Sequence, residues 1–191
     1  AENSINSNSG GVAVTDSFVV ASAGQQIIAV DVSGLNDGTL TLSLTLTDAA
    51  GNVSTPAVTD TVTKDANPPA VTTVTVADGD YKTVDTINFT VTLDDSVTVS
   101  GTNSTLGVNV GGANTTAAFA SATGNSITYS YTVLAGENTD NSGVSILASS
   151  IVLNGDTIRD SGNNDAVLTF AGTNNPDAQV DTTAPVATVV K

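Results

Sequence analysis

Two short stretches, K-D-A-N-P-P-A-V at Lys64–Val71 and V-D-T-T-A-P-V at Val180–Val186, follow one plan: an acid, a short polar step, a proline and a β-branched run. Proline fixes φ and has no N–H to give to a ladder, so each stretch ends one sheet and opens an extended segment. The pattern predicts two domain junctions, with Asp65 and Asp181 standing where domains meet.

Around the junctions the hydrophobic period is two. Thr39–Thr47 alternates Leu40, Leu42, Leu44 and Leu46 with Thr and Ser, which predicts a half-buried antiparallel strand with leucine inward. Gly10–Val20 and Gln26–Val32 read as short strands, Ser33–Gly38 as a turn, and Pro56–Thr63 as the strand before the first junction. Beyond it, strands are expected at Val71–Ala77, Thr86–Leu93, Ser96–Ser100, Leu106–Val110, Ser126–Leu134, Val144–Leu153 and Ala166–Phe170. Turns are expected at Asp78–Asp80, Gly111–Asn114, Gly136–Gly143 and Asp160–Asp165. Many short strands with no helical period predict an all-β chain of sandwich domains.

Composition narrows the function classes. The chain carries 19 acids, 17 of them Asp, against 4 bases, for a net charge of −15. Nucleic acid and anionic membrane surfaces are poor partners for it. No cysteine or histidine is present, which removes disulfides, zinc sites and the usual nucleophile–base pairs. No 20-residue apolar run is present to span a membrane, and no signal peptide is seen. Asp94–Asp95 and Asp156 are conceivable as paired glycosidase acids, but strand-end acids are usually just solvated, and no enzyme is expected.

The run D-V-S-G-L-N-D-G-T-L-T-L-S-L-T-L-T-D-A-A-G-N-V-S-T-P-A with its acid-and-proline linker, roughly Asp31–Val71, resembles the C-terminal half of a bacterial immunoglobulin-like repeat. Such repeats build giant secreted adhesins and biofilm-associated surface proteins, and V-D-T-T-A-P matches their linker again. The resemblance implies tandem immunoglobulin-like β-sandwich domains joined by short Asp/Pro linkers. Residues 1–66 would form a sandwich lacking its opening strand, and 67–182 a longer one. Residues 183–191 would be the opening strand of a following domain, or a donor strand completing another subunit through Val186, Val189 and Val190. Its setting would be extracellular, on a bacterial surface, with neighbouring copies head-to-tail as partners and a distal receptor.

Strand order gives the acids positions. In an alternating sandwich, Asp48–Asn52 and Asp160–Asp165 are corresponding turns before a last strand, the latter beside the junction holding Asp65. Asp78 and Asp80 lie in the first turn of the second domain, near Asp181. Asp-, Asn- and Gly-rich turns supply the oxygens that Ca²⁺ requires, so Asp48, Asp65, Asp78, Asp80, Asp160, Asp165 and Asp181 are the candidate ligands of calcium at the joints. The competing reading is that these aspartates close Asx-turns. Two functions follow beside that of a calcium-stiffened adhesin repeat: a filament subunit polymerising by strand donation, and a glycan-binding module, for which three Tyr and no Trp offer little platform.

Overall fold

The computed structural model describes residues 2–7, 14–17, 31–55, 58–138 and 142–188. Every regular element among them is a β-strand, and the chain divides into two compact units, Ala1–Asn67 and Pro68–Lys191.

The first unit contains β1 (Glu2–Ser7), β2 (Val14–Ser17), β3 (Gly38–Thr45) and β4 (Val58–Lys64), antiparallel in the order β2-β1-β3-β4. Register pairs Ile5 with Leu42 and Leu40 with Val62. The leucine alternation is only partly inward. Leu40 is buried, Leu42 and Leu44 are half-buried, and Leu46 is 51% exposed. The strand stops at Thr45, and Leu46 is drawn into the following turn, where its N–H donates to Ser54 Oγ and its carbonyl accepts from Ser54 N–H. β1 lies in a stretch too polar to read as a strand; pairing on both sides by β2 and β3 holds it. The expected strand Gln26–Val32 falls mostly outside the described residues.

The second unit holds β5 (Val71–Val76), β6 (Gly79–Tyr81), β7 (Thr86–Leu93), β8 (Thr98–Ser100), β9 (Thr105–Val110), β10 (Ala113–Thr123), β11 (Ser126–Thr132), β12 (Val144–Val152), β13 (Thr157–Arg159), β14 (Thr173–Asn175) and β15 (Ala178–Val180). Seven of them form one sheet in the order β14-β12-β9-β10-β11-β7-β5. β13 pairs with β8, and β15 runs parallel to β6. β5, at one end of the large sheet, lies against β12 and β14 at the other, so the sheet turns over on itself in a sandwich-like arrangement. The core is the set of alternating residues: Ile87, Phe89, Val91 and Leu93 on β7, Leu106, Val108 and Val110 on β9, and Ile127 and Tyr129 on β11, all at most 1% exposed. Phe119 meets Tyr129 edge to face, ring centroids 6.2 Å apart. Each such side chain contributes on the order of 1.5–3 kcal/mol by leaving water.

Two expectations fail here for identifiable reasons. The turn at Gly111–Asn114 is only Gly111–Gly112, both at positive φ, and Val110 pairs with Ala113 across it. This is a two-residue hairpin, and the alanine-rich stretch after it is the longest strand described, β10. Ala166–Phe170 is not a strand. β12 is irregular between Ile146 and Ile151, with Ser149 at φ 46°, and Ser149 exchanges hydrogen bonds with Phe170 by both its backbone and its hydroxyl. A bulged neighbour offers point contacts instead of a ladder.

Val84 has φ 69°, a left-handed conformation that a β-branched side chain adopts at a cost of about 1–2 kcal/mol. Its side chain is 74% exposed and gains no burial in return. Val84→Asn is expected to stabilise the second unit by about 1 kcal/mol, read as a higher urea midpoint by tyrosine fluorescence. An unchanged or lower midpoint would show that the turn does not carry this strain.

Candidate functional site

Two of the predicted carboxylate turns share one five-residue geometry. In D-A-A-G-N the Asp48 N–H donates to the Asn52 carbonyl (3.0 Å), and Gly51 N–H to the Asp48 carbonyl (3.1 Å). One Asp48 carboxylate oxygen accepts the N–H of Ala50 and Asn52, each 2.9 Å, and the other accepts Asn52 Nδ2 (2.8 Å). In D-S-G-N-N the same bonds recur. Asp160 N–H reaches the Asn164 carbonyl (3.3 Å) and Asn163 N–H the Asp160 carbonyl (3.2 Å), while Asn164 N–H and Nδ2 each donate to one carboxylate oxygen at 2.9 Å. The fourth residue takes positive φ in both, Gly51 at 90° and Asn163 at 67°. An acid followed four residues later by Asn, with a left-handed position between, is therefore a self-closing loop.

Both acids are shifted by these bonds. The side-chain amide of Asn52, then the backbone N–H groups, hold the Asp48 carboxyl below its ordinary value. For Asp160, burial pushes upward, but the Asn164 side chain and the N–H groups of its loop outweigh it, and the net direction is down.

The other predicted ligands are placed as follows. Asp165 binds Arg159 Nε at 2.6 Å. Asp65 accepts the N–H of Asn67 at 3.2 Å, and Asp181 that of Thr183 at 2.8 Å. Asp78 accepts Asn175 Nδ2 at 2.7 Å. Asp80 is exposed on β6, opposite Gln179. β6 and β15 pair in parallel, so Asp78, just before β6, and Asp181, just after β15, flank opposite ends of the paired stretch, with Asp80 between them. The Asp160–Asp165 loop leads into Val167, which bridges Ala70 at that unit's start. Among the described residues no three acidic side chains come together in a group able to hold a metal ion. The Asp48 and Asp160 carboxylates accept hydrogen bonds from their own loops, and one Asp165 carboxylate oxygen is held by Arg159. Val186 is 87% exposed, and Val189 and Val190 lie outside the described residues.

The acid with the most to do structurally is one the sequence suggests is solvated. Asp156 is 5% exposed and accepts the N–H of Asn103 and of Ser104, both at 2.6 Å, and Asn103 Nδ2 at 3.1 Å. A Cβ on Gly101 would stand 2.0 Å from its carboxylate, so that position is closed to any larger residue. The buried Tyr129 hydroxyl in turn donates to Ser104 Oγ at 3.4 Å, and burial raises the Tyr129 pKa. The signal for Asp156 is the N-G pair before it. Asn154 and Gly155 both have positive φ, and Asp156 N–H donates to the Leu153 carbonyl at 2.9 Å, a tight turn that points the acid back into the fold.

No protein-family model, curated protein or solved structure matches the chain. The chemistry the site displays is acceptance of backbone N–H groups by carboxylates at the ends of strands.

Asp156→Ala would leave the N–H groups of Asn103 and Ser104 without their acceptor, and is expected to cost about 3 kcal/mol. Tyr81, Tyr129 and Tyr131 all lie in the second unit, so tyrosine fluorescence in a urea titration reads this directly. A loss well below 1 kcal/mol would rule out this role for Asp156. For Asp48 and Asp160, the depressed carboxyl values mean that their stabilisation is complete above the ordinary carboxylate pKa of about 4 and is lost as pH falls through the lower folded value. Asp160→Asn should lower the melting temperature at pH 7 and flatten its decline in acid; an unaltered acid limb would refute the assignment.

Proposed function

We propose that the chain is a structural module of a bacterial extracellular surface protein, an adhesin repeat or surface filament, in which immunoglobulin-like sandwiches follow one another head-to-tail and hold a distal binding module away from the cell. The observation that carries this reading is the likeness of the two junctions. At each, the carboxylate accepts the N–H two residues on, from Asn67 and Thr183 respectively, and a proline and a valine-rich run follow. After the first, the run is β5, at one end of the large sheet and buried through Val74 and Val76. After the second, Val186 is 87% exposed, and residues 184–188 pair with no strand among the described residues. A segment composed like an opening strand, with its valine in water, is suited to complete another sandwich.

The completing sandwich belongs either to the next repeat of a covalent array or to a separate copy that accepts residues 184–191 as a donated strand. The charge of −15 favours a well-solvated surface in either case. Calcium enters this proposal at the junction acids Asp65 and Asp181 rather than at the self-closed turns.

Two measurements test the reading. Thermal unfolding and solution length, compared in Ca²⁺ and in EGTA at matched ionic strength, should show a higher melting temperature and a longer particle in Ca²⁺. Identical values would remove calcium from the proposal. Light scattering of the full chain against a chain lacking Ala184–Lys191 addresses the partner. Donation predicts concentration-dependent association lost on deletion, whereas two monomeric samples would leave only the covalent array.

A further inference from the structure

The segment leaving the second unit does not simply trail from β15. Asp181 N–H extends the β6–β15 pairing by donating to the Tyr81 carbonyl at 2.9 Å. Beyond it, the loop after β11 takes hold. Asn138 Oδ1 accepts the N–H of Thr182 at 2.8 Å and the hydroxyls of Thr182 and Thr183, each at 3.3 Å. Gly136 N–H donates to Thr182 Oγ1 at 3.1 Å. The backbone N–H of Thr182 can only donate, which fixes the Asn138 amide with its oxygen toward the exit segment.

The clamp is itself anchored. Glu137 accepts the Tyr131 hydroxyl on one carboxylate oxygen and the N–H of Leu134, 2.7 Å, on the other. Behind the loop, a Cβ at Gly111 would come within 3.0 Å of Asn138 N and Glu137 Cα, so the β9–β10 hairpin presses directly on it. On its far side the exit segment lines an open cleft with Lys82 and Thr83.

We infer that Asn138 is a joint-locking residue, which fixes the direction in which residues 181–183 leave the second unit by protein hydrogen bonds alone, without a cation. The consequence for function rests on the module reading above: a locked exit presents the segment at Val186 in a set direction to the sandwich it completes, and less ordering entropy is then lost on pairing. The lock is a property of the second unit itself and stands whichever partner follows.

Amide hydrogen exchange on the full chain, in EGTA, tests it. One hydrogen bond of ordinary net strength corresponds to about tenfold in local protection. Asn138→Ala should speed exchange at Thr182 about tenfold while the amides of Val91 and Tyr129 in the core keep their rates. Asn138→Asp, which retains an acceptor oxygen, should restore protection at Thr182. Equal exchange at Thr182 in the parent chain and Asn138→Ala would overturn the lock, as would protection that appears only when Ca²⁺ is added. Loss of core protection in Asn138→Ala would show a structural role for the whole loop and also overturn it. Failure of the module reading shows elsewhere, in an association state indifferent to deletion of Ala184–Lys191, and leaves the exchange result unaffected.

Discussion

The structure depends on carboxylates that accept backbone N–H groups where strands end. A sheet satisfies its own polar groups internally, but each turn frees donors that no ladder can use, and an unsatisfied buried donor costs as much as a lost hydrogen bond. Here aspartate does the satisfying at several turns: Asp48 and Asp160 within their own loops, Asp94 at the N–H of Ala70, Asp85 at that of Lys82, and Asp156 at Asn103 and Ser104. Part of the heavily acidic composition is thereby put to use locally. Net repulsion among the acids is the counter-cost, and it acts mainly through solvent, where salt screens it.

The sequence patterns were legible where one side of a strand is buried by its neighbours. Val71–Val76, Thr86–Leu93 and Ser126–Thr132 lie within the stretches read from alternation, because each pairs in a wide sheet over a filled core. Legibility failed where a strand is made by its partners and not by its own side chains. Ala113–Thr123 is mostly alanine, serine and threonine and carries little hydrophobic signal, yet it lies between β9 and β11 and is paired on both sides. Glu2–Ser7 fails in the same way. In the opposite direction, Ala166–Phe170 has the pattern of a strand and lacks a regular neighbour, because the bulge at Ser149 breaks the edge it would use.

For the candidate site, the correspondence between Asp48–Asn52 and Asp160–Asn164 was legible as equivalent turns, and the structure adds why they are equivalent: an acid and an asparagine four residues apart close the same loop. Which acids face solvent and which face inward was not legible. Asp156 and Asp95 are both strand-end acids in sequence, but Asp156 follows a tight Asn-Gly turn that reverses the chain toward Ser104, while Asp95 bonds only the N–H of its own neighbour Ser96 among the contacts described. Asn138 was equally hidden, since its partners lie more than forty residues on and reach it only once β15 pairs with β6.

A module whose job is to transmit direction from one end to the other must hold its exits as firmly as its core. A flexible linker loses orientation within a few residues, whereas an exit bonded to the sheet carries the sheet's orientation outward. In the second unit the path is continuous: core strand β11, the Glu137 anchor on Tyr131, Asn138 on Thr182, and the proline at Pro185 restricting the residue before it. A cation at Asp181 would add to a joint whose first three residues are already placed by Tyr81, Gly136 and Asn138, and would act chiefly on whatever follows Pro185. The hydrogen bonds set the direction of departure; what a metal or a neighbouring sandwich can still contribute is the angle beyond it.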